Sequence, residues 1–137
     1  MLRVARSCYE QIIENAKAGL PNEACGILSG AGDTATTFHA MTNKEQSPVS
    51  YLMDPKEQFQ IMKKIRLDHD KMLAVYHSHV ASQAYPSAKD VSFAFYPEAH
   101  YVIVSLADRK RPLAKAFRIE EGKVREEPIE IVSQFAG

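Results

Sequence analysis

The run Met72–Asp90, MLAVYHSHVASQAYPSAKD, goes from an apolar stretch through two histidines one residue apart to Pro86-Ser87, with an acid three residues after the serine. An apolar run without alternation is a strand covered on both faces, so MLAVYHSH predicts a central strand. Ser87-x-x-Asp90 after a proline is a variant of the capping box, and PSAKDVSFAF starts a short helix. A central strand needs cover on both sides, and the flanking sequence supplies it.

Upstream, Asp54-Pro55-Lys56-Glu57 has a cap, a proline at the first helical position and an acid three residues after the cap. The helix it opens runs through Phe59, Ile61, Met62 and Ile65 to about Asp68. Further upstream, VARSCYEQIIENAKAGLP places Val4, Cys8, Ile12, Ala16 and Leu20 at helical spacing, with Tyr9 and Ile13 beside them and Gly19 and Pro21 as stop signals. EACGILSG predicts a buried strand, and TATTFHAM a second that pairs with it across GAGD. NKEQSPVSYLMDP is irregular. Downstream, HYVIVSL, PLAKAFRI and KVREEPIEIV predict strands joined by ADRKRP and EEGK. Interspersed helices and strands give an α/β or α+β class with a mixed sheet between helices, in one domain over residues 1–137.

Lys plus Arg equals Asp plus Glu at 17 each, and no basic tract occurs, so the chain has no electrostatic footprint for nucleic acid or an anionic membrane. No apolar run approaches the roughly 20 residues of a membrane span. MLRVARSCYEQ has no signal-peptide core, and two cysteines, Cys8 and Cys25, make no disulfide framework, so a reduced cytoplasmic setting is expected. The oligomeric state, a homodimer included, stays open.

His77 and His79, at i and i+2 of a strand, share a face. Ser87 and Asp90, three apart on a helix, also share one. The seven residues between His79 and Ser87 let a loop fold back over the strand end. Two neutral imidazoles and one carboxylate leave a fourth tetrahedral position for water, as a catalytic zinc requires. Such a site needs a base, and Glu23, an acid opening an otherwise apolar strand, is the candidate. Each residue also has a plainer reading: Ser87 and Asp90 as a helix cap, the histidines as core residues at a strand end, Glu23 as a surface carboxylate beside a turn. The conjunction of all five favours a site, and capping does not exclude catalysis.

Glu23, His77-Ser78-His79, Ser87 and Asp90, with seven residues and then two between the last groups, resemble the signature of the JAMM, or MPN-plus, zinc isopeptidases. The resemblance covers nearly the whole chain. HSHVASQAYPSAKD is most similar to the small prokaryotic branch, that of the CysO-cysteine peptidases, although Val80 stands where many members have proline. The resemblance implies a mixed sheet flanked by helices, related to the cytidine deaminase fold. It implies one zinc per chain on His77, His79 and Asp90, with Glu23 as general base and later proton donor, and Ser87 as hydrogen-bond donor to the oxyanion. It implies hydrolysis of the amide after the C-terminal Gly-Gly of a ubiquitin-like sulfur-carrier protein, with release of cysteine or another small residue.

Cys25 shares strand parity with Glu23 and is read as a small buried hydrophobe before a metal-side thiolate. His39, His69 and His100 lack ligand partners at useful spacing. Asn43, Ser47 and Tyr51 are read as loop structure first and substrate contacts second. Three other functions compete: a non-catalytic MPN scaffold, which would lack ligands that are all present here; an iron oxygenase on the same two-histidine, one-carboxylate set, which gives Glu23 no task; and a deubiquitinase-like isopeptidase acting on protein conjugates, for whose long insertions 137 residues leave no room.

Overall fold

The computed structural model describes residues 1–133. The chain begins with a strand, β1 (Leu2–Ala5), which turns at once into α1 (Arg6–Ala18). β2 (Cys25–Gly30), β3 (Thr34–Ala35) and β4 (Thr37–Met41) follow, then an irregular stretch and α2 (Pro55–Leu67). β5 (Lys71–His79) carries the two histidines, and α3 (Ala88–Ser92) follows it. β6 (His100–Ser105), β7 (Leu113–Glu120), β8 (Lys123–Glu127) and β9 (Ile129–Val132) complete the described chain.

Six strands form the main sheet in the order β4-β2-β5-β6-β7-β8. β5 and β6 are parallel and the other pairs antiparallel, so the sheet is mixed, with β5 interior as its apolar run predicts. Strand alternation divides two cores. Leu28, Tyr76, Val102 and Val104 face α1, where Cys8, Ile12 and Ala16 are fully buried. Cys25, Ile27, Val75, Ile103 and Phe117 face the other way, toward Ile65 of α2. His77 and His79 have the parity of Val75, so they emerge on the α2 side.

Asp54 caps α2, its carboxylate accepting from the amides of Lys56 and Glu57. Glu57 does not close a capping box. Its two oxygens accept from the amide and hydroxyl of Thr42, both at 2.7 Å, and anchor the end of β4. A Cβ on Gly30 would stand 2.0 Å from the Thr34 carbonyl oxygen, so the turn after β2 requires glycine.

The expected elements differ from the structure in three places. Val4 belongs to β1, not to the first helix, because the chain there is extended and pairs in parallel with β3 and β9 in a second, three-stranded sheet. TATTFHAM divides, β3 joining that small sheet and β4 pairing with β2 as expected. KVREEPIEIV divides at Pro128, which has no N–H for a ladder: β8 ends the main sheet and β9 crosses to β1.

Candidate active site

β5 and α3 bring the candidate metal-ligating atoms together. His77 Nε2 lies 3.1 Å from His79 Nε2, and Asp90 Oδ2 lies 3.1 Å from the first and 3.0 Å from the second. All three residues are largely withdrawn from water, the histidines at 2% and 4% exposure. The separations approach the edge of about 3.3 Å that a tetrahedral ion with 2.0–2.1 Å bonds spans between donors. Among the described residues this is the group of His, Cys, Asp and Glu atoms that converges on one point. The donor set therefore fits a metal of the zinc type.

The surroundings fix each donor. The turn after β5 folds back so that the Gln83 carbonyl lies 2.8 Å from His79 Nδ1. That contact puts a proton on Nδ1, so Nε2 is the atom His79 turns toward Asp90 and offers to a metal in exchange for its proton. His77 stacks on the Tyr51 ring at 4.4 Å, and its Nδ1 has no partner among the described residues. Burial lowers the His77 pKa, so the ring is held neutral, the form that ligates. At His79 burial works downward, but the hydrogen bonds to Asp90 and to the Gln83 carbonyl raise the pKa overall.

Ser87 and Asp90 cap α3 as the plainer reading has it, and Asp90 also stands against the two histidines. Ser87 Oγ accepts from the Asp90 amide at 3.0 Å, and Asp90 Oδ2 accepts from the Ser87 amide at 2.9 Å, a reciprocal capping box. The oxygen that caps α3 is thus the one that faces the histidines. Burial would raise the Asp90 pKa, but hydrogen bonds from both histidines and from the Ser87 amide hold it far below the usual carboxylate range. The Ser87 hydroxyl accepts in the cap and keeps its own proton to donate.

Glu23 lies just before β2, 5% exposed. Cys25 is in register with His77, and the Ser78 amide donates to the Ala24 carbonyl at 3.0 Å, which sets Glu23 across from His79. Its Oε1 is buried without a hydrogen-bond partner. Burial raises its pKa to about 7, with Asp90 adding to the rise and His79 opposing it. It is not a surface carboxylate. Its backbone is fixed from the loop between β4 and α2, the Glu23 amide donating to the Ser47 carbonyl and the Asn43 side chain donating to the Glu23 carbonyl. Asn43 also accepts from the amides of Glu45 and Leu52, so the loop-building reading of Asn43 and Ser47 holds.

Ser78, between the two histidines, was legible only as a spacer. Pointing to the opposite face, its Oγ accepts from the Ala24 amide at 2.8 Å and so ties the Glu23 segment to β5. The signal was a small hydroxyl residue inside an otherwise apolar central strand. Cys25 is fully buried with its thiol 3.8 Å from the Met41 carbonyl, and burial pushes its pKa up to about 12, so it is no thiolate. His39 pairs with Ser29 and His100 with Glu127, both away from the triad, and His69 sits with positive φ at the end of α2. Val80 is half-buried in the turn after β5.

Residues 5–120 match the family of prokaryotic homologs of the JAB domain. The chain belongs to this prokaryotic JAB family. Among JAB relatives, the CysO-cysteine peptidase of Mycobacterium tuberculosis is 39% identical over 98% of this chain and 94% of its own length. The desampylase of Haloferax volcanii is 35% identical over 76% of this chain and 80% of its own length. The solution structure of a Desulfitobacterium hafniense protein superposes with a TM-score of 0.87 at 38% identity, over 98% of this chain and 94% of that one. In this chain the end of β5, the capped start of α3 and the approach to β2 lie together, and they carry the five residues.

Proposed function

We propose that this JAB protein is a zinc-dependent peptidase that hydrolyses the amide after the C-terminal glycine of a ubiquitin-like sulfur-carrier protein and releases cysteine or another small residue. The observation that carries the reading is the convergence of His77 Nε2, His79 Nε2 and Asp90 Oδ2 beside a buried, unpartnered Glu23 carboxyl. An orphaned buried acid gains a task in hydrolysis and has none in an oxygenase or a scaffold. The names of the Mycobacterium and Haloferax relatives support a peptidase acting on such carriers or their conjugates. His77, His79 and Asp90 would hold the zinc, which would supply Lewis-acid polarisation and lower the pKa of water there to about 7. Glu23 accepts a proton from the attacking water and returns it to the leaving amine as the C–N bond breaks. Ser87 donates its hydroxyl proton to the oxyanion developing on the glycine carbonyl. Gly-Gly suits the tail because its backbone can approach closely without a Cβ clash. A cytoplasmic setting is in keeping with two buried free cysteines, and no helix among the described residues is long and apolar enough to cross a membrane.

Metal analysis of the parent, His77→Ala and Asp90→Ala, alongside intact-mass assays, tests this reading. We expect one zinc per parent chain, little in either variant, and release of cysteine from a carrier ending in Gly-Gly-Cys with slow turnover of a ubiquitin–lysine conjugate. Unchanged zinc in both variants would sink the ligand assignment. Preference for the conjugate would move the chain to the isopeptidase reading that the desampylase likeness favours.

A further inference from the structure

An apolar cavity of about 220 Å³ opens beside the triad. Tyr51, stacked on His77, is its wall toward the histidines, and Leu52, Phe93, Phe95 and Tyr96 are among the other residues that line it. Two charged side chains also border it. Glu45, on the loop between β4 and α2, and Lys89, on α3 next to Asp90, pair Oε1 to Nζ at 2.7 Å. Lys89 Nζ lies 5.9 Å from the Phe93 ring centroid, over the aromatic wall. The pair is 35% and 44% exposed, so it adds little stability and a competing ion can reach it. Lys89 directly precedes Asp90 on α3, and Tyr51, which lines the same cavity, stacks on His77, so the pair stands beside the triad.

The inference rests on the reaction proposed above. A single residue released from a carrier tail has a feature that a lysine-linked protein lacks at the same place: a free α-carboxylate adjoining the scissile amide. We infer that the cavity receives the side chain of this leaving residue and that Lys89 pairs with its α-carboxylate, displacing Glu45. In the free protein the Glu45 carboxylate occupies the place the substrate's carboxylate takes. Once the amide is cut, the freed amine becomes an ammonium, and the neighbouring acid and base then match a zwitterionic amino acid charge for charge. The cavity exceeds the volume of a cysteine side chain, so it admits longer apolar residues such as methionine.

The zinc-loaded full chain is given carriers ending in Gly-Gly-Cys and Gly-Gly-Met, each as the free acid and as the C-terminal amide, and kcat/KM is followed by intact mass. The parent should cut both acids and prefer each over its amide by roughly tenfold, between the worth of an exposed pair and of a charged hydrogen bond. Lys89→Met should slow only the acids, bringing the ratio near unity with zinc content unchanged. Lys89→Arg should keep the preference, and Glu45→Gln should lower KM for the acids. A preference that survives Lys89→Met, or a variant that slows acid and amide alike, overturns the role of Lys89. Turnover of the cysteine tails alone overturns the assignment of the cavity. A parent that cuts all four substrates equally removes the carboxylate contact and leaves the peptidase reading intact, whereas a parent that cuts none removes both.

Discussion

Glu23 is one carboxyl with two consequences. As the proton acceptor it should be indispensable to turnover and dispensable to metal binding. Glu23→Gln should keep zinc and lose roughly 10²–10⁴ in rate, measured by single-turnover cleavage against metal content. A variant that cleaves at the parental rate would make Glu23 a bystander. The second consequence is for stability in chelator-treated protein. The folded state holds a proton on Glu23 up to about pH 7, while the unfolded chain releases it near 4.5. Because the folded state binds the extra proton, stability falls as pH rises through that window. His79, also raised, adds a slope of the same sign, while Asp90, held low, loses its contribution only in acid. Subtracting parent from Glu23→Gln isolates the glutamate: the variant's advantage should grow by roughly 1–3 kcal/mol between about pH 5 and about pH 8. A flat difference across that range would mean that Glu23 is well solvated when ionised. Ser87→Ala separates cap from catalyst in the same manner. It should lose about 1 kcal/mol of stability as a cap and roughly 10²–10³ in kcat as an oxyanion donor. Stability lost with full activity retained leaves only the cap.

At the scale of elements, the site is a junction of β5, α3 and the approach to β2, and Ser78 is the rivet between two of them. Ser78→Ala leaves the partly buried Ala24 amide without its acceptor, at a cost of about 1 kcal/mol. Zinc should remain bound while kcat falls, because Glu23 loses its fixed position and the ligands do not. Loss of zinc in Ser78→Ala would show that the serine supports β5 itself. These elements were unequally legible in the sequence. β5 and α3 were readable because their signals are local: an apolar run, and a serine with an acid three residues on. The paired histidines followed from strand periodicity alone. Glu23 was readable as an acid out of place, but not the Asn43, Ser47 and Ser78 contacts that hold it, since each joins segments far apart in the chain. β1 was hidden because Val4 continues the spacing of Cys8 and Ile12, and a four-residue strand leaves too short a pattern to compete with a helix. The departure of Glu57 from its expected cap has the same origin, a tertiary partner, Thr42, that local sequence cannot announce.

For the whole molecule, a zinc ion held as proposed by His77, His79 and Asp90 would join α3 to the sheet and should stabilise the fold by mass action. Chelation should therefore lower the thermal midpoint of the parent and leave that of His77→Ala nearly unchanged. Equal shifts in both would place the stabilising ion elsewhere. The small sheet has another consequence, for how the chain is made. β1 lies between β3 and β9, paired to residues 34–35 on one side and residues 129–132 on the other. A ribosome makes β1 before β9, with all the other described strands in between, so until β9 emerges one edge of β1 has no partner. A chain truncated before Pro128 should be open to protease at β1, while the main sheet, whose strands β2 and β4 to β8 are all present, resists digestion.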